Sequence, residues 1–342
     1  MTTRPRVMLT TAPLDTTWLA RLQKLAPEFH VKQWNYSTMG SIPNDLWQDV
    51  EVLYTSFTTP LPLPDQVPHL RWVQLYSAGP DLVLDHPLFA TSTIFTTTSG
   101  IHAVPIAEYV FAMVLAWFHR LPRVFEWQQR SAWPEGSERV PLFTGEELRS
   151  KTIGIVGYGS IGREIARIAT AFGMRVLAMQ RGINHHDTGF SLPGIGDPLG
   201  TLPDHFYSPT ELPALLGASD VVVIALPLTT RTRNMFDEAV FQMMKPTALL
   251  VNIARGDICH ESALIRALQE KQIAGAILDV FHQEPLPSDH SLWQLPNVFI
   301  SPHCSSLTSF YAERAAQVCE ENLRRYLGGE PMLNIVDKNQ EY

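Results

Sequence analysis

The feature that most restricts the possible folds of this chain is a glycine-rich run, GYGSIG, at residues 157–162. The apolar, strand-like run Thr152–Val156 comes directly before it. After it, apolar residues recur every three or four positions up to residue 172, which is the period of one helix face. A glycine-rich turn between a strand and an amphipathic helix is typical of folds that bind a dinucleotide. We therefore predict a dinucleotide site at this turn.

Each residue of the turn has an expected role. Gly157 permits the tight turn, Gly159 lets the backbone approach a pyrophosphate, and Gly162 lets the helix pack closely on the strand. The predicted helix begins at Ser160 and Ile161, which contribute backbone N–H groups at its start. They are expected to face the phosphates together with the positive end of the helix dipole.

Apolar strand-like runs alternate with helical patterns along most of the chain. Such alternation is typical of parallel sheets covered by helices on both faces. We predict an α/β fold with two Rossmann- or flavodoxin-like doubly wound parallel-sheet domains and a cleft between them. The expected substrate domain is discontinuous, 1–101 plus 305–342, because the helical pattern at 311–327 is expected to return to it. The expected dinucleotide-binding domain is 102–304.

Charge, apolar run length and cysteine content argue against several classes of protein. The net charge is −8 and no basic run is present, so neither nucleic acid nor an anionic membrane is an expected partner. The longest apolar runs, such as 109–118, are far shorter than the roughly 18–20 residues that span a bilayer. The three cysteines are too few and too scattered for a disulfide framework or a zinc cluster. We expect a soluble, cytoplasmic enzyme that needs no metal.

One stretch, 182–207, interrupts the alternation of strands and helices and is rich in Gly, Pro and His. A loop of this length in a compact domain is either functional or mobile. His185, His186 and His205 suggest a metal site, but they lack the tight spacing of metal ligands. The sequence alone assigns no role to this stretch.

The end of the second predicted strand bears on the choice of cofactor. NAD sites usually carry an acid there that hydrogen-bonds the ribose 2′-OH. This chain has Gln180 and Arg181 instead. A guanidinium attracts a 2′-phosphate, which a carboxylate would repel. The sequence therefore predicts NADP(H) in preference to NAD(H).

Three polar residues follow three successive predicted strands. Arg255 follows the run 249–254, Glu284 lies just beyond 276–280, and His303 follows 298–300. Ligands of open α/β sheets bind at the carboxyl ends of the strands. A cation, a carboxylate and an imidazole at that edge could bind an acid and transfer a proton.

The same segments resemble the D-isomer-specific 2-hydroxyacid dehydrogenase family in order and local sequence, over almost the whole chain. The resemblance implies reduction of a small 2-keto acid to a D-2-hydroxy acid by NAD(P)H, in a homodimer joined through the dinucleotide-binding domain. The segments that carry it are YSAGPD at 76–81, GIHAVPIAE at 100–108, LPLT at 226–229, NIARGD at 252–257, DVFHQEPLP at 279–287 and SPHC at 301–304.

The resemblance also implies roles for individual residues. His303 would be the general acid, Glu284 its hydrogen-bonded partner, and Arg255 the group that grips the substrate carboxylate. Ser77, Ala78 and Gly79 belong to the loop that would hold the same carboxylate. The cofactor would also lie beside Leu226, Pro227, Ile253, Ala254 and Asp279, the last near the nicotinamide.

Three alternatives stay open at this point. A formate dehydrogenase shares the expected fold and the histidine, but it has a glutamine where Glu284 stands. A phosphite dehydrogenase keeps all three catalytic residues. A dinucleotide-sensing regulator similar to the C-terminal-binding-protein corepressors keeps the fold and binds peptides. The identity of the 2-keto acid does not follow from the sequence.

Overall fold

The computed structural model describes residues 4–56, 58–81, 83–182, 185–340 and 342. Residues 183 and 184, in the 182–207 stretch, lie outside the described residues. The chain forms two compact units. Unit 1 consists of Met1–His102, Thr188–Leu192 and Thr308–Tyr342, and unit 2 of Ala103–Asp187 and Pro193–Leu307.

Unit 1 contains a five-stranded parallel sheet with the order β2-β1-β3-β4-β5. The second strand and two short helices of this unit were not predicted. Its first helix begins where the Asp15 side chain accepts a hydrogen bond from the Trp18 N–H. The elements are β1 (Arg6–Thr10), α1 (Thr16–Leu25), β2 (Phe29–Gln33), α2 (Tyr36–Met39), α3 (Asn44–Trp47), β3 (Val50–Thr55), β4 (Trp72–Leu75) and β5 (Ile94–Thr96).

Unit 2 contains a seven-stranded parallel sheet with the order β12-β11-β10-β9-β6-β7-β8. The two predicted parallel-sheet α/β domains are thus confirmed. The helices are α4 (Ala103–Phe118), α5 (Leu121–Gln129), α6 (Gly136–Phe143), α7 (Ser160–Ala171), α8 (Leu212–Ala218), α9 (Glu238–Gln242) and α10 (Glu261–Gln269). The strands are β6 (Thr152–Val156), β7 (Arg175–Met179), β8 (His205–Tyr207), β9 (Val221–Ile224), β10 (Leu249–Asn252), β11 (Gly275–Leu278) and β12 (Val298–Ile300).

Helices cover both faces of this sheet, which explains why its central strands are continuously apolar. Residues of α4 and α7 pack on one face, and residues of α8, α9 and α10 pack on the other. Within the described residues no single helix is long and apolar enough to cross a membrane. Among the same residues, α4 and α5 together are long and apolar enough, but the two helices are bent by 69° relative to each other.

The parallel register aligns the carboxyl ends of the strands that matter for function. Asn252 pairs with Leu278, and Leu278 pairs with Ile300, at the ends of β10, β11 and β12. Val156 at the end of β6 lies beside the ends of β7 and β9. Since β7 and β9 flank β6, the strand order reverses at β6. A dinucleotide binds at such a reversal in doubly wound sheets.

The connection from β7 to β8 contains no helix among its described residues and is held by a buried aspartate instead. Asp197 accepts hydrogen bonds from the Tyr158 hydroxyl at 2.7 Å and from the N–H groups of Thr201 and Leu202 at 3.0 and 2.9 Å. Burial alone would raise the pKa of this carboxyl, but these hydrogen bonds and the charge of Arg163 lower it. The part of the irregular stretch from Pro193 onward is therefore anchored within unit 2.

The last helix, α11 (Tyr311–Gly328), belongs to unit 1. Its residues Ala316, Cys319 and Leu323 pack in one apolar cluster with Leu22 of α1. Arg21 of α1 also donates to the carboxylate of Glu320. The end of the chain thus completes the core of the unit that the start of the chain forms.

Candidate active site

The glycine turn after β6 has the conformation that a phosphate-binding turn requires. Gly157 has φ +112°, and a Cβ there would lie 2.5 Å from the Ala225 carbonyl oxygen. A Cβ on Gly162 would lie 2.3 Å from the Gly157 carbonyl oxygen, so only glycine allows this close approach of α7. A Cβ on Gly159 would meet nothing within 4 Å. The space in front of Gly159 is therefore open to a ligand.

Four backbone N–H groups of this turn are available to such a ligand. None of the N–H groups of Tyr158, Gly159, Ser160 and Ile161 donates a hydrogen bond to a described residue. They stand at the start of α7, where the helix dipole is positive. Residues of the turn thus fit the pyrophosphate of a dinucleotide.

The end of β7 lies beside the glycine turn, because the Gly157 N–H donates to the Met179 carbonyl oxygen at 3.3 Å. Half-buried Gln180 and exposed Arg181 follow directly. They occupy the place where NAD sites carry the acid that binds the ribose 2′-OH. On the other side of the turn, Leu226 and Pro227 follow β9.

A buried amide shapes the loop that carries Arg255. The Asn252 Oδ1 accepts from the Ala254 N–H at 3.1 Å, and its Nδ2 donates to the Arg255 carbonyl oxygen at 3.1 Å. The guanidinium of Arg255 donates to the Ala254 carbonyl oxygen at 2.8 Å. Ile253 and Ala254 are buried at this end of β10. Nothing in the sequence distinguishes Asn252 as a bracing residue, although it directly precedes the two cofactor candidates.

His303 and Glu284 are brought together across 19 residues of sequence. The imidazole Nδ1 donates to the Glu284 Oε2 at 2.7 Å, and the Glu284 Oε1 accepts from the Phe281 N–H at 3.0 Å. A Cβ on Gly256 would lie 2.0 Å from the Phe281 carbonyl carbon, so the loop after Arg255 presses on the same segment. The arrangement leaves the Nε2 of His303 without a partner among the described residues. That nitrogen is therefore the one able to exchange a proton with a ligand.

Asp279 is fully buried and holds the backbone on which His303 stands. Its carboxylate accepts from the Ser301 hydroxyl at 2.5 Å and from the N–H groups of Cys304 and Ser305 at 2.9 and 3.0 Å. The Tyr109 hydroxyl extends this network to Ser301. These contacts make Asp279 a positioning residue for His303, while its contact with a nicotinamide stays a prediction.

Asp279→Asn is expected to lower the free energy of unfolding by about 1–3 kcal/mol. The new amide donor would face N–H groups in a buried site and leave hydrogen bonds unsatisfied. Urea denaturation followed by circular dichroism measures this change. Asp289→Asn, which makes the same change at an exposed carboxyl, is the control. Equal stability of the two variants would contradict the anchoring role.

A second carboxylate joins the loops that follow β9, β10 and β11. Asp257 accepts hydrogen bonds from the Arg233 guanidinium and, at 2.5 Å, from the His282 Nδ1. Burial acts to raise the pKa of the Asp257 carboxyl, but these two hydrogen bonds lower it. The hydrogen bond to Asp257 raises the pKa of His282. This cluster could not be predicted from the sequence, because its members are separated along the chain.

In unit 1, the loop after β4 presents three successive backbone donors. The Ser77 hydroxyl donates to the Gly79 carbonyl oxygen at 2.8 Å, and the Thr98 N–H donates to the Ser77 carbonyl oxygen at 3.0 Å. The N–H groups of Ser77, Ala78 and Gly79 have no acceptor among the described residues. Successive free N–H groups of this kind form an anion-binding concavity.

The described residues include neither a cluster of metal ligands nor a cysteine whose thiol pKa is lowered. Across the described ranges, no group of three or more His, Cys, Asp or Glu side chains could hold a metal ion. Burial raises the pKa of the Cys304 thiol, as does the charge of Asp279. The thiol next to His303 is thus protonated at neutral pH and a poor nucleophile.

The glycine turn lies where the strand order reverses. The neighbouring strand ends carry a cation and an imidazole–carboxylate pair. Together these features define a class of nucleotide-binding oxidoreductases with two α/β units. Comparison with known families agrees, since residues 111–305 match the family model described as "D-isomer specific 2-hydroxyacid dehydrogenase, NAD binding domain". The chain belongs to the D-isomer-specific 2-hydroxyacid dehydrogenase family, as its sequence predicts.

Individual proteins are similar over nearly the full chain. A glyoxylate reductase of Aeropyrum pernix is 32% identical, over 98% of this chain and 96% of its own length. A solved family member from Aeromonas salmonicida subsp. salmonicida A449 is 30% identical with a TM-score of 0.77, covering 98% of this chain and 100% of its own. A D-isomer specific 2-hydroxyacid dehydrogenase from Xanthobacter autotrophicus Py2, solved in complex with NADPH and MES, is 27% identical with a TM-score of 0.77, covering 99% and 100%.

Proposed function

We propose that this chain reduces a small 2-keto acid to the corresponding D-2-hydroxy acid with NADPH. The observation that carries the proposal is the hydrogen bond between His303 and Glu284 at the end of β12. Reduction of a carbonyl requires a proton for the oxygen, and a carboxylate-paired imidazole supplies one. Oxidation of formate requires no such donor, so the pair favours keto-acid reduction over that alternative. Similarity to a glyoxylate reductase supports a small substrate.

The cofactor would be held by the glycine turn, by the residues after β7 and by those at the ends of β9 and β10. When bound, NADPH supplies the hydride that the carbonyl carbon accepts. The protein supplies the proton, which moves from the Nε2 of protonated His303 to the carbonyl oxygen. Glu284 stabilises the imidazolium and keeps the other proton on Nδ1.

Arg255 would bind the substrate carboxylate and polarise the carbonyl. A guanidinium presents parallel N–H donors that match a carboxylate. Its loop is braced by Asn252 and by the contact of Gly256 with Phe281, so the cation is held in place before the substrate binds. In unit 1, the proposed partners of one oxygen of the substrate carboxylate are the N–H groups of Ser77, Ala78 and Gly79.

A panel of 2-keto acids tests the proposed reaction directly. Oxidation of NADPH is followed by its absorbance with glyoxylate, hydroxypyruvate and larger 2-keto acids, and the chirality of longer products is determined. Turnover that yields D-2-hydroxy acids supports the proposal. No turnover with any 2-keto acid, together with oxidation of formate or phosphite, would overturn it.

Arg181→Ala is expected to raise the KM for NADPH about tenfold or more and to leave the KM for NADH nearly unchanged. The reason is the loss of charge-assisted hydrogen bonds to the 2′-phosphate. The NADPH complex of the Xanthobacter relative supports this cofactor preference. Arg175→Ala, at the exposed start of β7, is the control. Equal KM values for the two cofactors in the unmodified enzyme would contradict the preference.

We further propose a homodimer formed through unit 2. Exposed apolar side chains gather on α5, α6 and the segment between them, notably Phe125, Trp133 and Val140. Exposed apolar groups clustered in this way mark interaction sites. Sedimentation velocity is expected to give twice the chain mass, and Trp133→Glu combined with Val140→Glu is expected to shift it toward the monomer. Met243→Glu, at the exposed residue directly after α9, is the control, and a monomeric unmodified protein would contradict the proposal.

A further inference from the structure

The three histidines of the 182–207 stretch have different surroundings, and His185 is held from two sides. Its Nδ1 donates to the Gln180 Oε1 at 3.0 Å. Its ring stacks on Phe206 of β8, with 3.6 Å between the ring centroids and 2° between the planes. Neither contact contributes to the catalytic residues described above. The catalytic residues therefore do not explain why the side chain of His185 is fixed.

The backbone around His185 is fixed as well. Gly200 has φ +68°, and a Cβ there would lie 2.5 Å from both the carbonyl oxygen and the Cβ of His185. The Asp187 N–H donates to the Pro198 carbonyl oxygen at 2.9 Å, which closes the loop around the histidine. Asp197 in turn anchors that loop to Tyr158. The imidazole is thus held in one orientation by contacts within unit 2.

This orientation presents a donor at the end of β7. Gln180 directly follows β7. The carbonyl oxygen of Met179, the last residue of β7, accepts a hydrogen bond from the Gly157 N–H of the glycine turn. The ribose of a bound dinucleotide lies at this edge of the sheet. The Nε2 of His185 has no partner among the described residues, and the residue is only partly buried. Since Nδ1 donates to an amide oxygen, Nε2 becomes a donor when the ring is protonated.

We propose that His185 is a specificity-determining residue that binds the 2′-phosphate of NADP(H) through its Nε2. This inference rests on the proposed use of NADPH and adds a residue to that site. A phosphate dianion stabilises the imidazolium and accepts a charge-assisted hydrogen bond from it. A ribose 2′-OH carries no charge and gains far less from the same contact. His185 and Arg181 together would form the phosphate subsite.

The test compares dissociation constants of NADP⁺ and NAD⁺, measured by isothermal titration calorimetry on the full chain. His185→Phe keeps an aromatic ring to stack on Phe206 and removes the nitrogen donor. We expect the Kd for NADP⁺ to rise about tenfold or more, with the Kd for NAD⁺ changed by less than about twofold. His186→Phe is the matched control, because it removes the neighbouring imidazole.

Each other outcome overturns the inference in a distinguishable way. If the unmodified protein prefers NADP⁺ and His185→Phe leaves both dissociation constants unchanged, His185 does not bind the phosphate, while the proposed cofactor preference stands. If both dissociation constants rise equally, His185 only supports the loop. If the unmodified protein binds NAD⁺ as tightly as NADP⁺, the proposed preference and the role of His185 fail together.

Discussion

His303→Asn is expected to lower kcat for 2-keto acid reduction by about 10²- to 10⁴-fold, the range that general acid catalysis contributes. Asparagine cannot donate a proton to the carbonyl oxygen as an acid. It does tolerate the left-handed backbone that His303 adopts, with φ +49°, so the loop should keep its conformation. Steady-state kinetics with NADPH and the preferred 2-keto acid measure the effect.

Two further variants make this result specific. His260→Asn removes an exposed imidazole at the start of α10 and should leave kcat unchanged. Glu284→Gln should also lower kcat, because the imidazolium would lose its anionic partner. Full activity of His303→Asn with unchanged circular dichroism would contradict the assignment of the acid.

Arg255→Lys is expected to lower kcat/KM for the 2-keto acid by about 10²-fold or more. Lysine keeps the charge but lacks the planar pair of donors, so it binds a carboxylate less well and polarises the carbonyl less. The loss should be larger for Arg255→Ala. Measurement of kcat and KM for both substrates separates the effects, because the KM for NADPH should stay nearly constant.

The control for Arg255→Lys is Arg266→Lys, on the exposed side of α10. It makes the same chemical change at a surface ion pair with Glu238, where an exchange of cations has little effect. If Arg255→Lys lowered the affinity for NADPH and left the KM for the keto acid unchanged, Arg255 would belong to the cofactor site and not to the substrate site.

Residues whose roles depend on local sequence could be predicted from the chain alone. The glycine turn is such a case, since a strand, a turn and a helix of consecutive residues produce its geometry. The catalytic candidates after β10, β11 and β12 could also be predicted from the sequence. Parallel strands bring their carboxyl ends to one edge of the sheet whatever the details of packing.

Residues whose roles depend on distant partners could not be predicted. Tyr109 contacts Ser301 across 192 residues, and Arg233 meets Asp257 across 24. Neither pairing leaves a periodic or spaced signal in the sequence. The predicted place of Asp279 near the cofactor came from resemblance alone, whereas its hydrogen bonds to the loop of His303 became visible only in the structure.

The sequence by itself determined the fold class, the family and the positions of the glycine turn and three catalytic candidates, because hydrophobic period and short motifs are local properties. Only the tertiary structure decided how the 182–207 stretch is held and which histidine of that stretch is fixed beside Gln180. That decision rests on a buried aspartate, a stacked ring and a glycine that fits against the backbone of His185. Such contacts join residues that have no regular spacing, so they arise only once the sheet has brought them together.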